Sequence, residues 1–252
     1  MPPSPWAYLD HPGALPIAHR GGALDAPENT LPAFERAAAL GFVYVETDAR
    51  VTADGVAVAF HDDDLSRLTG RPGRISELSW AEVATARVGG EPIPRLDELL
   101  GSFPQLKVNV DPKQDEVVDL VAEAIRSTAS IDRVGVGSFS GRRLNRLRSE
   151  LGPRLCTALG PLDIARLRVA SFGVPLNRLL GACVQVPVAG PGGVPIVDHR
   201  FVDEAHRRNL QVHVWTVDDP EDMHALLDLG VDGLMTDRPT LLKQVLQARG
   251  AW

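Results

Sequence analysis

The chain has 252 residues and a net charge of −7, with a pI near 5.5, which argues against broad nucleic-acid binding because that needs a basic face. Its two cysteines, Cys156 and Cys183, sit in apolar runs, are too few for a disulfide framework and read as buried free thiols. No apolar run is long enough to span a membrane, and Met1–Pro16 lacks the positive and apolar regions of a signal peptide, so a cytoplasmic protein is expected.

The proline-rich Met1–Pro16 is expected to wrap the bottom of the fold or remain loose. Leu15–Ala18 is a short apolar strand that delivers His19 at its end. After Pro27-Glu28-Asn29-Thr30 the spacing predicts a helix over Thr30–Leu40, with Asn29 as N-cap and Gly41 as its stop. Val43–Ala49 is a β-branched strand, and its period of two puts Glu46 and Asp48 on one face. Two such carboxylates resist burial; they are either a solvated strand face or oxygen ligands suited to Mg²⁺ or Ca²⁺. The Asp54-Gly55 turn sends the chain back through Val56–Phe60 and brings His61 and Asp62 beside that pair. Two imidazoles of near-neutral pKa suit a reaction in which one proton is taken and another given.

Asp62–Pro94 departs from simple alternation. It holds a short amphipathic helix at Ser79-Trp80-Ala81-Glu82, a loop bracketed by Gly89-Gly90 and Pro92/Pro94, and Arg67, Arg71 and Arg74, read as solvated loop charges. From Leu106 onward strands (106–111, 133–138, 154–158, 182–186, 211–216, 233–235) alternate with helices (114–127, 141–150, 162–170, 198–208, 220–229, 240–248). With the first two strands that makes eight, and the length suits a single domain over 1–252. The expectation is an α/β protein, a (β/α)8 TIM barrel with a short insertion over 62–94 after the second strand. Ser171–Gly193 fits the pattern least, and Gly190–Gly193 reads as a loop rather than a phosphate cradle. The arginines of 141–148 read as a solvated helix face. In such a barrel the active site lies at the C-terminal strand ends. That places His19, Glu46, Asp48, Asp111, Lys113 and Trp215 around one rim, with Asn109, Asp111 and Lys113 sharing strand parity.

His19-Arg20-Gly21, Pro27-Glu28-Asn29-Thr30, Glu46-x-Asp48 and His61-Asp62, in this order and spacing, resemble motifs of the glycerophosphodiester phosphodiesterase family. Asn109-Val110-Asp111-Pro112-Lys113, Val214-Trp215-Thr216-Val217, Gly230-Val231-Asp232-Gly233 and Thr236-Asp237-Arg238-Pro239 continue the likeness, which runs from Ile17 to about Leu242. The family belongs to the phosphatidylinositol-phospholipase-C-like phosphodiesterase barrels. The resemblance implies metal-dependent hydrolysis of a glycerophosphodiester to sn-glycerol 3-phosphate and an alcohol. By resemblance, His19 and His61 form the general acid–base pair, one activating water or the glycerol 2-hydroxyl and the other protonating the departing alcohol. A divalent cation, Mg²⁺ or Ca²⁺, would be held by Glu46, Asp48 and Asp111, while Arg20 and Lys113 would bind the phosphoryl oxygens.

Supporting roles follow for Glu28, reaching the metal or the glycerol (or acting only as a first-turn acid), for Asn29 as a cap, and for Asp62 orienting His61. Trp215 would wall the glycerol, or simply fill the barrel. The third carboxylate is usually Glu in the family; Asp111 is one methylene shorter, a change that calcium's flexible geometry tolerates better than magnesium's. Two rival functions remain. A lysophospholipase D-type enzyme acting on lysolipids would need an apolar ramp, of which Asp62–Pro94 shows little sign. A non-catalytic barrel would bind phosphodiesters without turnover. His11, His199, His206, His213 and His224 read as structural or surface residues, although His213 shares parity with Trp215 and could reach the mouth. Nothing in the sequence fixes an oligomeric state.

Overall fold

The structure, a computed structural model, describes residues 6–190, 193 and 195–252. Among these residues, eight parallel strands alternate with eight longer helices. In chain order they are β1 (Leu15–Ala18), α1 (Leu31–Ala39), β2 (Tyr44–Val51), α2 (Leu96–Ser102), β3 (Lys107–Pro112) and α3 (Val118–Ser127). Then come β4 (Val134–Val136), α4 (Gly141–Leu151), β5 (Cys156–Thr157), α5 (Pro161–Ala170), β6 (Cys183–Pro187) and α6 (His199–Arg207). The series ends with β7 (Gln211–Trp215), α7 (Pro220–Asp228), β8 (Gly233–Thr236) and α8 (Pro239–Ala248). The strands pair in the order β5-β4-β3-β2-β1-β8-β7-β6, and the parallel bridge between Ala158 and Cys183 joins the two ends. This is a nearly closed (β/α)8 barrel, as the strand count predicts.

Strands covered on both faces need apolar side chains in both directions, and β1, Leu-Pro-Ile-Ala, is buried at all four positions. The helices outside need only one apolar stripe. In α3 that stripe is Val118, Val121, Ala122 and Ile125, at helical spacing. The stripe is narrow in α5, which buries only Leu167 and Ala170, as it is in α4 and α7, which also bury two residues each.

The first helix begins one residue later than expected. Thr30, not Asn29, is the N-cap, and its side chain accepts a hydrogen bond from the Ala33 N–H. Asn29 is left-handed, with φ 57, which turns its amide away from the helix and toward β2. At the other side of this turn, Gly21 has φ +81, and a Cβ there would lie 2.8 Å from Ala33 Cβ, so the turn after β1 rests directly on α1. Phe34 fills the space beneath, fully buried and 6.4 Å from the Phe103 ring. Phe34→Ala is expected to cost about 3–5 kcal/mol in urea unfolding.

The Asp54-Gly55 turn forms the expected hairpin, pairing Ala57–Ala59 antiparallel with β2 in the register Ala49↔Ala59. The following insertion carries helical turns at Ser66–Thr69 and Trp80–Val83, the latter closed by a Ser79/Glu82 capping box. Its Gly89-Gly90 loop is the bend of a two-stranded ribbon, Arg87–Val88 with Glu91–Pro92, and it has its own apolar cluster around Phe60, Leu65, Ile75 and Val83. At the barrel bottom, Tyr8 is buried, the Trp6 indole donates to the Pro153 carbonyl, and Lys107 donates to the carbonyls of Ala7 and Asp10. The described part of the N-terminal segment therefore wraps the bottom; Met1–Pro5, and Pro191 and Gly192 of the glycine cluster, lie outside the described residues. Cys156 and Cys183 are buried and free. Among the described residues, no helix is long and apolar enough to cross a membrane.

Candidate active site

Each of the barrel's first three strands ends by handing a charged side chain to the rim. Beyond β1, a tight turn with Arg20 at φ 52 folds the Arg20 N–H onto Glu46 Oε2, at 3.1 Å, and sets His19 Nε2 3.7 Å from the same oxygen. Glu46 and Asp48 point inward from β2, and the parallel register places Asp48 opposite Asp111 on β3. The hairpin closes with the Phe60 N–H on the Asp48 carbonyl, and the next residue is His61. Arg50 then holds the His61 carbonyl through Nε at 3.0 Å and Nη2 at 2.8 Å.

Both histidines are fixed through Nδ1. His19 Nδ1 lies 2.7 Å from Asp237 Oδ1, and His61 Nδ1 lies 2.6 Å from Asp62 Oδ1. A carboxylate on Nδ1 selects the tautomer that leaves Nε2 to act at the rim. Asp62 is held in turn by Arg67 (Nε to Oδ2, 2.5 Å), and the same guanidinium binds both oxygens of Glu28, at 2.8 and 3.0 Å. Glu28 also accepts from Arg20 Nη1 at 2.9 Å. One chain of ion pairs thus runs from His61 through Asp62, Arg67 and Glu28 to Arg20 and the acids beside His19.

These contacts revise several expectations. Arg67 is paired rather than a solvated loop charge. Glu28 precedes the helix and is occupied by two guanidiniums, so it neither lines the cavity nor acts as a first-turn acid. Asn29 ties β2 together, donating to Asp48 Oδ2 at 2.9 Å and accepting from the Thr47 hydroxyl at 2.8 Å. The arginines of α4 are engaged as well, Arg143 with Asp115 and Arg148 with the carbonyls of Ala158 and Leu180. His213 is fully buried inside the barrel, on Gln211, and does not reach the mouth.

The acids differ in how their charge is met. Asp48 is buried, which favours protonation, but Lys113 and Arg20 outweigh that and hold its pKa low. Lys113 Nζ sits 2.7 Å from Asp48 Oδ1 and 2.7 Å from Asp111 Oδ2; Arg20 Nε lies 3.2 Å from Asp48 Oδ2 without the alignment of a hydrogen bond. Burial, and then the Asp48 charge, push Glu46 up to about 7. Burial also raises Asp111 against the pull of Lys113. For His19 burial opposes the charged form, yet Glu46 and Asp237 prevail and its pKa is raised. Asp62, despite partial burial, is drawn down to about 2 by Arg67 and His61, so it keeps its charge throughout any practical assay range.

The donor chemistry of Glu46, Asp48 and Asp111 fits a hard divalent cation: three carboxylates, two of which, Glu46 and Asp111, have raised pKa values because burial outweighs the nearby fixed cations. Their arrangement here gives the gap between Asp48 and Asp111 to the Lys113 ammonium. Among the described residues no three His, Cys, Asp or Glu side chains are grouped as a metal site.

All these groups open on a cavity of about 690 Å³. One wall is charged: His19, Arg20, Glu46, Asp48, His61, Asp111 and Lys113. The opposite wall, from the later strands, is apolar: Phe139, Leu159, Ile164, Ala165, Ile196 and Trp215, with the Phe139 and Trp215 rings edge to face at 5.6 Å. Asn109 and Gln185 join across the floor through a 3.0 Å hydrogen bond. Every residue expected on the rim therefore lines this one space.

Asp237 had no role assigned from sequence, although an acid directly after a strand in Thr236-Asp237-Arg238-Pro239 was the available signal. Asp237→Asn is expected to lower kcat by roughly 10- to 100-fold with little change in KM, a part of the 10²–10⁴ that general acid–base catalysis supplies. Steady-state kinetics check it, and an unchanged kcat would detach Asp237 from the chemistry.

The sequence and fold have close counterparts. The model of the glycerophosphoryl diester phosphodiesterase family matches residues 19–241. A protein of Mycobacterium tuberculosis named "Probable glycerophosphodiester phosphodiesterase 2" is 40% identical over 97% of this chain and 95% of its own length. The glycerophosphodiester phosphodiesterase of Caldanaerobacter subterraneus subsp. tengcongensis is 29% identical over 94% of this chain and 99% of its own. A crystal structure from Silicibacter pomeroyi, of a protein named for the same family, superposes with a TM-score of 0.82 at 27% identity, covering 97% and 98% of the two chains.

Proposed function

Because the chain belongs to the glycerophosphoryl diester phosphodiesterase family and is an enzyme of that class, we propose that its barrel mouth splits glycerophosphodiesters into sn-glycerol 3-phosphate and an alcohol, using His19 and His61 as acid and base. The observation that carries this reading is the pairing of each Nδ1 with a carboxylate while both rings line the same cavity. The chain acts as one barrel unit, with the 62–94 insertion supplying Arg67 to the rim.

The substrate's phosphodiester carries one negative charge that must be met in both ground and transition state. Arg20 and Lys113 are the fixed cations beside it. One imidazole Nε2 takes the proton of the attacking oxygen, whether water or the glycerol 2-hydroxyl, and the other Nε2 gives a proton to the alcohol as its bond to phosphorus breaks. Asp62 and Asp237 hold the two rings in the tautomer this exchange needs. Glu46, Asp48 and Asp111 would hold a divalent cation, Mg²⁺ or Ca²⁺, which when bound polarises the phosphoryl oxygens. Trp215, facing the charged wall, packs the carbon side of the glycerol.

The apolar wall favours a second reading. The ramp that the insertion lacks is present on the opposite side, at Phe139, Ile164 and Ile196, where an acyl chain on the glycerol could lie. Lysolipids, cleaved in the manner of a lysophospholipase D, therefore belong among the substrates to test. A coupled assay of glycerol 3-phosphate release from glycerophosphocholine, -ethanolamine, -glycerol and -inositol, beside lysophosphatidic acid release from lysophosphatidylcholine, separates the two. Turnover of the soluble diesters is expected. Turnover of lysolipid alone would transfer the proposal to the second reading, and turnover of neither would leave a binding barrel.

A further inference from the structure

We propose that the outer face of α5 and the segment after it form a docking surface for an anionic lipid bilayer, beside the mouth of the cavity. Pro161, Ile164, Ala165 and Arg168 line the cavity along nearly the whole length of α5, so this helix runs along the mouth. A helix with one side on a cavity normally turns a polar side to water. Here Leu162 and Val169, two turns apart on the same face, are exposed, as are Phe172, Val174 and Leu180 just beyond. These five side chains are 48–64% exposed, and they make up most of the exposed large hydrophobics among the described residues. Apolar side chains gathered beside a site mark an interaction surface, whereas scattered ones do not.

Charge selects the partner. Between Gly160 and Arg200 the sequence carries Arg166, Arg168, Arg178 and Arg200 against Asp163 and Asp198; Arg166 pairs with Asp163 and Arg168 with Asp198, which leaves an excess of two positive charges here in a protein of net charge −7. Two of these cations sit against the Phe172 ring, the Arg168 guanidinium 4.8 Å and that of Arg200 5.8 Å from its centroid, Arg168 being also paired with Asp198. Aromatic and aliphatic side chains framed by arginines match the apolar edge and phosphate layer of a lipid–water interface. A neutral or cationic partner would gain nothing from that framing. The surface needs no particular diester in the site, so it stands apart from the choice of substrate above.

Co-sedimentation with vesicles tests it, using phosphatidylcholine alone and phosphatidylcholine with phosphatidylglycerol. The wild-type protein is expected to sediment with the anionic vesicles and to be released by high salt, since screening removes the arginine contribution. Leu162→Glu/Phe172→Glu is expected to lower the partition at least tenfold, and Arg178→Glu/Arg200→Glu to lower it several-fold. Both double variants should keep wild-type kcat on a soluble glycerophosphodiester, because none of the four positions lines the cavity. Wild-type protein that stays in the supernatant, or variants that sediment as well as wild type, would overturn the proposal. A dimer in light scattering that Leu162→Glu/Phe172→Glu converts to monomer would instead make this face a subunit contact, which also overturns it.

Discussion

Replacing His19 by alanine, or His61 by alanine, is expected to lower kcat by about 10²–10⁴-fold, the range that a positioned acid or base contributes. Each ring sits at the rim on a loop or turn rather than in a packed core, so the circular dichroism spectrum and the unfolding transition should stay close to wild type. The stronger test is the double variant. If the two imidazoles serve one proton exchange, removing the second costs far less than removing the first, because groups that act as a unit are not additive. Independent, multiplicative losses would mean that the two rings do separate jobs. Asp62→Asn should mimic a mild His61 lesion, since Asp62 keeps its negative charge down to about pH 2 and thus always offers His61 Nδ1 an ionised acceptor.

Chelation is expected to reduce glycerophosphodiester turnover to background, with activity returning on addition of Mg²⁺ or Ca²⁺. The physical reason lies in the uneven compensation of the acids. Asp48 has Lys113, Arg20 and Asn29 around it, whereas Glu46 receives one backbone N–H and stands beside the Asp48 charge. Glu46, Asp48 and Asp111 would hold the cation, which would supply the positive charge that Glu46 lacks, while Lys113 would bind the phosphate. Because Asp111 is a short side chain, Ca²⁺ should restore activity at least as well as Mg²⁺. Asp111→Glu should reduce that preference by bringing the carboxylate one methylene closer. Full turnover in excess chelator would remove the cation from the account and leave Lys113 as the permanent occupant of the gap.

Much of this site was legible in the sequence because its logic is local. A period of two fixes Glu46 and Asp48 on one face, an Asp-Gly turn of the right length returns His61 to them, and strand ends collect on one rim of a barrel. Partners distant in sequence were not legible. Asp237 lies 218 residues from His19 and Arg67 lies 39 from Glu28, and no local pattern announces either pair. The Asn29/Thr30 error has a different cause: both are good caps, and only the left-handed backbone at Asn29 decides between them. Helix α5 shows a third limit. Its apolar residues read as barrel cover, yet burial is set by where a helix lies, and this one lies along the mouth with much of its apolar surface outward. Likewise, the final closure between β5 and β6 rests on one bridge, too little to leave a trace in hydrophobic periodicity.

Phosphorus NMR on glycerophosphocholine incubated with the metal-loaded enzyme tests the central claim most directly, because it shows which ester bond breaks. The account predicts that the diester signal gives way to sn-glycerol 3-phosphate, with choline released, and that the same sample made with His19→Ala or His61→Ala stays unchanged over that time. Accumulation of phosphocholine, or equal conversion by the histidine variants, would contradict it.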